Sequence, residues 1–162
     1  MALEVVVEGG DWPDLGELDR LVAGVARAVA QAPAVAPRLA APAAACVAFA
    51  TDADVRALNA RYRAKDKPTN VLSFPAQALP EGALAPGEAQ PLGDVVLAAE
   101  TVAAEAKDQG IPLLHHIQHL VVHGVLHLLG NDHESDAEAE VMEALETNIL
   151  AALGVPDPYR SE

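Results

Sequence analysis

Three histidines, His123, His127 and His133, lie in the stretch HGVLHLLGNDH at a spacing that suits a single metal ion. The run around the first two is apolar and reads as helix, where residues four apart stack on one face about 6 Å apart along the axis. Gly130 offers the left-handed conformation that ends a helix, and His133 follows it closely enough to swing in as a third ligand. Three neutral imidazoles with a fourth position left for water is the pattern of a catalytic rather than a structural zinc site. An ion held in this way lowers the pKa of its water toward neutrality. Nitrogen donors favour zinc, and nickel or copper suits them as well. A lone histidine on an apolar helix is usually a hydrogen-bonded core residue; the repeated spacing and the glycine turn are what favour a metal here. His119 is tempting as a further ligand, but it stands about 12 Å from His127 along the axis. Ligands of one ion lie within about 2 Å of it, so His119 is expected in the core or behind the ligands. Asp132 or Glu134 is placed to orient an imidazole, or else is solvated. His115 and His116 read as a surface or helix-start pair.

The spacing HxxxHxxGxxH coincides with the metzincin protease motif HExxHxxGxxH, except that the glutamate serving as general base there is Gly124 here. Read in full, HGxLHLxGxDH resembles the signature of the YbeY family of bacterial metal-dependent endoribonucleases. LNARYRAKDKPTNVLSFP, from Leu58 to Pro75, is similar to that family's upstream motif, and LGDVVL, from Leu92 to Leu97, to its following strand. The departures are Asn70, where the family's aspartate is expected, and Asn131, where an aromatic residue or histidine is common. The resemblance implies one zinc-type ion on His123, His127 and His133, and an endoribonuclease acting on single-stranded RNA. It implies a role in maturing the 3′ end of 16S ribosomal RNA and in ribosome quality control, with ribosomal partners. It also points to Arg63 as a functional residue of the cleft.

Phosphodiester cleavage develops charge on non-bridging oxygens, and the planar fork of Arg63 is suited to grip two of them. Arg63, His123 and His127 are therefore the expected catalytic set. Without the resemblance, Arg63 would read as a solvated charge at a helix end. Lys65 and Lys67 are generic phosphate contacts, and Ser73 is either a cleft hydroxyl or a strand-packing residue. Direct attack on phosphorus by metal-activated water is the favoured route; attack by the ribose 2′-OH is the alternative. Two other readings compete with the endoribonuclease: a metallopeptidase-like hydrolase, and a ribosome-binding factor that uses metal only to fold.

The net charge of −14 and pI of about 4.6 argue against an extended nucleic-acid track. The distribution is more telling than the sum. Of ten lysines and arginines, five lie between residues 56 and 67 (Arg56, Arg61, Arg63, Lys65 and Lys67), opposed there only by Asp66. A local basic strip on an acidic body suits a small anionic contact. Hydrophobic residues make up 51% of the chain but aromatics only 3%, so alanine, valine and leucine must fill the interior. The single cysteine, Cys46, excludes both an internal disulfide and a cysteine-based zinc ribbon, and is expected as a buried thiol. The start lacks a basic leader, and the longest uncharged apolar stretch, Leu39 to Ala50, is broken by Pro42. A cytoplasmic monomer away from membranes is the expectation.

The elements that must position these residues fit one domain over residues 1–162. Expected strands are Leu3 to Glu8, Ala44 to Ala50, Thr69 to Pro75 and Gly93 to Ala99. Expected helices run from an Asp14 cap to about Gln31, with Leu15, Leu18, Val22, Val25 and Val29 inward, and from Thr51-Asp52 to about Arg63, with Val55, Leu58 and Tyr62 on one face. Three more run from about Glu100 to Gln109, from Pro112 through the histidines, and from about Asp136 to Leu153 with Val141, Leu145 and Ile149 inward. Prolines 33, 37 and 42 and the proline- and glycine-rich residues 76–92 read as loops. The result is an α+β fold: a small mixed four-stranded sheet packed with about five helices around a zincin-like metal site. Periodicity leaves the strand order open.

Overall fold

A computed structural model describes residues 1–39, 42–63, 69–77, 82–131 and 134–159. The elements run in the order β1 (Ala2–Val7), α1 (Leu15–Gln31), β2 (Ala43–Ala50), α2 (Asp52–Arg63), β3 (Val71–Pro75), β4 (Gln90–Ala98), α3 (Ala99–Gln109), α4 (Leu113–Leu128) and α5 (Asp136–Ala152). A short 3-10 turn, Ala36–Leu39, breaks the proline-rich loop after α1. The fold is α+β, as expected. The strand order, open from sequence alone, is β1-β2-β4-β3. β1, β2 and β4 are parallel, and β3 pairs antiparallel with β4 as an edge strand.

Alternation along β2 sorts the two faces of the sheet. Ala45, Val47 and Phe49 join Val95 and Leu97 of β4 in the main core, against Leu18, Val22 and Val25 of α1, Val121, Val125 and Leu126 of α4, and Ile149 and Leu150 of α5. On the opposite face Ala50, Val96 and Ala98 pack with Leu72 of β3 under Val55 and Leu58 of α2. The scarcity of aromatics leaves one fully buried ring, Phe49, which meets Trp12 edge-on at 5.0 Å. Trp12 in turn donates to the carbonyls of Gly9 and Ala50 at 3.0 and 3.1 Å, tying the loop after β1 to the end of β2.

Helix starts follow the cap residues. The Asp14 side chain accepts from the Glu17 amide at 3.0 Å, and Ser135 does the same for Glu138 at 3.1 Å. α2 and α3 begin side by side: Asp52 accepts from the Thr101 amide and hydroxyl at 3.0 and 2.8 Å, while Glu100 accepts from the Asp52 amide at 2.7 Å.

Several expectations are corrected. β4 begins at Gln90 rather than Gly93, because a bulge opposite Ala44 and Ala45 lets Pro91 enter the strand without a missing N–H spoiling the ladder. Leu15 and Val141 are 53% and 58% exposed, since the inward stripes start at Leu18 on α1 and centre on Met142, Glu146 and Ile149 on α5. Cys46 is half-buried, not buried: it faces away from the main core, beside Glu4 and Asp94 in the sheet register. Burial, followed by the charges of Asp94, Glu4 and Glu8, pushes its pKa up.

Candidate metal centre

α4 is the helix that carries His123 and His127, and three contacts fix it. It runs under the sheet with Gly124 facing inward, where an added Cβ would lie 2.5 Å from Cγ1 and 3.0 Å from Cγ2 of the buried Val95 and 3.2 Å from the Ser73 hydroxyl. The close approach lets Ser73 donate to the Gly124 carbonyl at 3.0 Å, bonding edge strand β3 to the helix. The third contact is the end of α4. Gly130 adopts φ +96°, its amide reaches the His127 carbonyl at 3.0 Å, and the Asn131 amide reaches the Leu126 carbonyl at 3.0 Å. This paired closure is the Schellman motif, which reverses the chain on leaving the helix. Arg38, from the proline-rich loop, donates to the Leu129 carbonyl at 3.3 Å and to the Asn131 side chain at 2.5 Å, clamping that turn.

His123 and His127 sit one turn apart on α4, both half-buried, with their Nε2 atoms 3.2 Å apart and ring centroids 4.7 Å apart. His123 Nδ1 meets Oε1 of Glu146, a carboxylate with 0% exposure on α5. His119 Nε2 lies 3.2 Å from Oε2 of the same carboxylate and 3.2 Å from the Tyr159 hydroxyl, which itself donates to Glu146. Burial pushes the Glu146 pKa up, but hydrogen bonds from His119, His123 and Tyr159 and the His123 charge outweigh it and hold the carboxyl at about 2, against its ordinary 4.5. Glu146 is therefore an anion at neutral pH. Burial and the adjoining Glu146 carboxylate push the Tyr159 pKa upward, so its hydroxyl stays a donor.

A permanent buried acceptor at Nδ1 fixes the proton of a neutral His123 there and leaves the Nε2 lone pair facing His127. That is the carboxylate–histidine arrangement that orients metal-binding imidazoles. The spacing agrees with it. Two nitrogens at about 2.0–2.1 Å from one tetrahedral zinc stand about 3.3 Å apart, and the observed pair is at 3.2 Å. The two described imidazoles fit an ion held by nitrogen donors.

His123 and His127 are thus brought together, and the His119 ring lies 6.4 Å from that of His123 and shares its Glu146 partner. Ser73 is on β3, engaged with Gly124. Arg63 ends α2; its side chain, with Lys65, Lys67, Asp132 and His133, lies outside the described residues. Glu134 is exposed ahead of α5. His116 departs from the surface reading: it starts the helix, as expected, but is 3% exposed, with Nε2 3.0 Å from Glu105, which also accepts from Asn70 at 3.1 Å. Glu146 was missed, although a signal existed. It falls four residues after Met142 and three before Ile149, an acid placed on an otherwise apolar stripe.

Sheet, helix and carboxylate-backed imidazole pair together define an α+β protein whose antiparallel edge strand is bonded to the helix that carries the paired imidazoles. A family model described as Endoribonuclease YbeY matches residues 15–154. An Endoribonuclease YbeY from Chelativorans sp. (strain BNC1) is 50% identical over 159 residues, covering 97% of this chain and 92% of that protein. Those from Azorhizobium caulinodans and Rhodopseudomonas palustris (strain BisB18) are 47% and 48% identical, covering 98% and 99% of this chain and 96% and 94% of their own lengths. The chain belongs to the YbeY endoribonuclease family. The solution structure of TM1509 from Thermotoga maritima shares the fold, with a TM-score of 0.56 at 21% identity over 98% of this chain and 99% of that one.

Proposed function

We propose that this chain is a one-domain, metal-dependent endoribonuclease that cuts single-stranded RNA during 16S ribosomal RNA 3′-end maturation and ribosome quality control. It acts in the cytoplasm as a monomer, guided by the ribosome or a ribosomal protein. His123, His127 and His133 hold one zinc-type ion, which supplies Lewis acidity at the scissile phosphate when bound. Glu146 keeps the His123 Nε2 lone pair turned inward, and His119 and Tyr159 keep Glu146 in place. Arg63, with Lys65, takes the charge of the phosphate oxygens, and Ser73 holds the edge strand against the helix.

The observation that carries this reading is the imidazole pair at 3.2 Å backed by a buried anion. Gly124 supports RNA over peptide as the substrate. The position that bears the base in HExxH is packed here against Val95 and Ser73, leaving no room for a glutamate without rebuilding the sheet contact. No helix among the described residues is long and apolar enough to cross a membrane.

The test joins elemental analysis of the purified protein to cleavage of an unstructured RNA by wild type and Arg63→Ala. One equivalent of metal is expected, with the variant slowed about a hundredfold, as for loss of one donor to transition-state charge. Cleavage of unfolded casein but not RNA, abolished in His123→Ala, would instead make the protein a peptidase.

A further inference from the structure

α2 ends in the sequence Arg61-Tyr62-Arg63, inside the one basic strip of an acidic chain. Tyr62 is 60% exposed, more than Val7, Leu15, Val141 or Tyr159, the other exposed large apolar side chains among the described residues. It is also held in place. Its ring meets Phe74 of edge strand β3 edge-on, with centroids 5.7 Å apart at 65°, and Phe74 is half-buried against the α2-facing core cluster. The Arg61 guanidinium lies over the Tyr62 ring, 5.2 Å from its centroid.

An ordered, solvent-facing ring flanked by cations is how proteins capture an unpaired nucleobase: the ring offers a stacking face, and the neighbouring cations meet the phosphates on either side. Duplex RNA hides its base faces, so such a ring rewards single strands specifically. We propose that Tyr62 is a base-stacking subsite for single-stranded RNA, with Phe74 supporting the ring and Arg61 holding a flanking phosphate. The proposal rests on the RNA-cleavage reading and adds to it a residue that selects unpaired substrate.

Steady-state cleavage of a fluorescein-labelled, unstructured RNA 12-mer by zinc-loaded wild type, Tyr62→Leu and Tyr62→Phe tests it. Leucine keeps apolar bulk over Phe74 but has no stacking face, and matched circular dichroism melts establish that the fold is intact. Tyr62→Leu is expected to raise KM about tenfold with kcat within about twofold, and Tyr62→Phe to rescue KM. A scan of 12-mers carrying one abasic nucleotide should reveal one position that costs wild type about tenfold and costs Tyr62→Leu nothing further, since ring and base are then one interaction. An unchanged KM in Tyr62→Leu, or an abasic penalty the same in both proteins at every position, overturns the proposal. So does an unchanged KM joined to weaker association with small ribosomal subunits, which assigns the ring to a protein partner. Wild type that leaves the unmodified 12-mer uncut sinks the RNA reading itself, and the subsite with it.

Discussion

Replacing Glu146 with glutamine keeps the shape of the inward face of α5 and removes one charge. In wild type the carboxylate is fully buried and serves three groups, His123, His119 and Tyr159. Holding it at about 2 rather than 4.5 corresponds to about 3–4 kcal/mol, at about 1.4 kcal/mol per tenfold change in proton affinity. The folded state binds this proton less tightly than the unfolded chain does. The stabilisation is therefore complete above pH 4.5 and disappears as the pH falls toward about 2. Glutamine must turn an N–H toward at least one of the three donors, so Glu146→Gln should cost about 2–3 kcal/mol at neutral pH. Urea denaturation of chelator-treated protein measures this, and the gap between wild type and variant should narrow below pH 4.5. Zinc affinity, read by competition with a chromophoric chelator, should fall about 10- to 100-fold, as for loss of an imidazole's carboxylate partner. A variant as stable as wild type at neutral pH, or a gap that stays constant through the acid range, would refute the claim that this network holds an anion.

Three further outcomes follow from other parts of the site. Gly124→Ala drives a methyl group into Val95, at 2.5 Å from Cγ1, and the overpacking should exceed the helix-propensity gain of about 1 kcal/mol, leaving a net loss of about 1–2 kcal/mol in a thermal or urea melt. Arg38→Ala frees the turn at Leu129 and Asn131; the bonds are exposed, so stability should drop by only about 0.5–1 kcal/mol. Zinc affinity should fall severalfold with it, and Asn131→Ala made on top should add little, because the two residues share one interaction. The salt dependence of RNA binding should be shallow: single strands lose about 0.7 in slope per neutralised phosphate, so the five cations of residues 56–67 cap the slope of log K against log salt at about 3.5. A steeper slope would place RNA contacts elsewhere on the surface.

What was legible in the sequence was whatever depends on neighbours along the chain. Asp14 caps the helix it precedes, Gly130 takes the left-handed conformation that closes α4, and the pair His123 and His127 lands on one face because helical geometry leaves no choice. Strand order was not legible, because it depends on which crossover packs best, and the sheet interior is built from interchangeable alanines and valines. Glu146 and Tyr159 were hidden for a related reason: they lie 23 and 36 residues beyond His123, and only the docking of α5 and the segment after it brings Glu146 to His123 and Tyr159 to Glu146 and His119. The inward reading of Val141 concealed the stripe that contains Glu146; shifting it by one residue turns that acid from the surface to the core.

The site thus divides between a local and a remote layer, and the division bears on how its nitrogens are prepared. The proposed ligands come from one short segment, but a helix bearing two imidazoles leaves their rings free to rotate. Fixing them requires groups that do not move with the helix. Here α5 supplies the anion at His123, the proline-rich loop supplies Arg38 at the closing turn, and edge strand β3 supplies Ser73 at Gly124. Each of these belongs to a different element, and Gly124 lets the sheet come close enough for the last. With the helix held by three other elements, the two Nε2 atoms already stand 3.2 Å apart, so on the proposed reading the entropy of ordering the pair is met on folding rather than on metal binding.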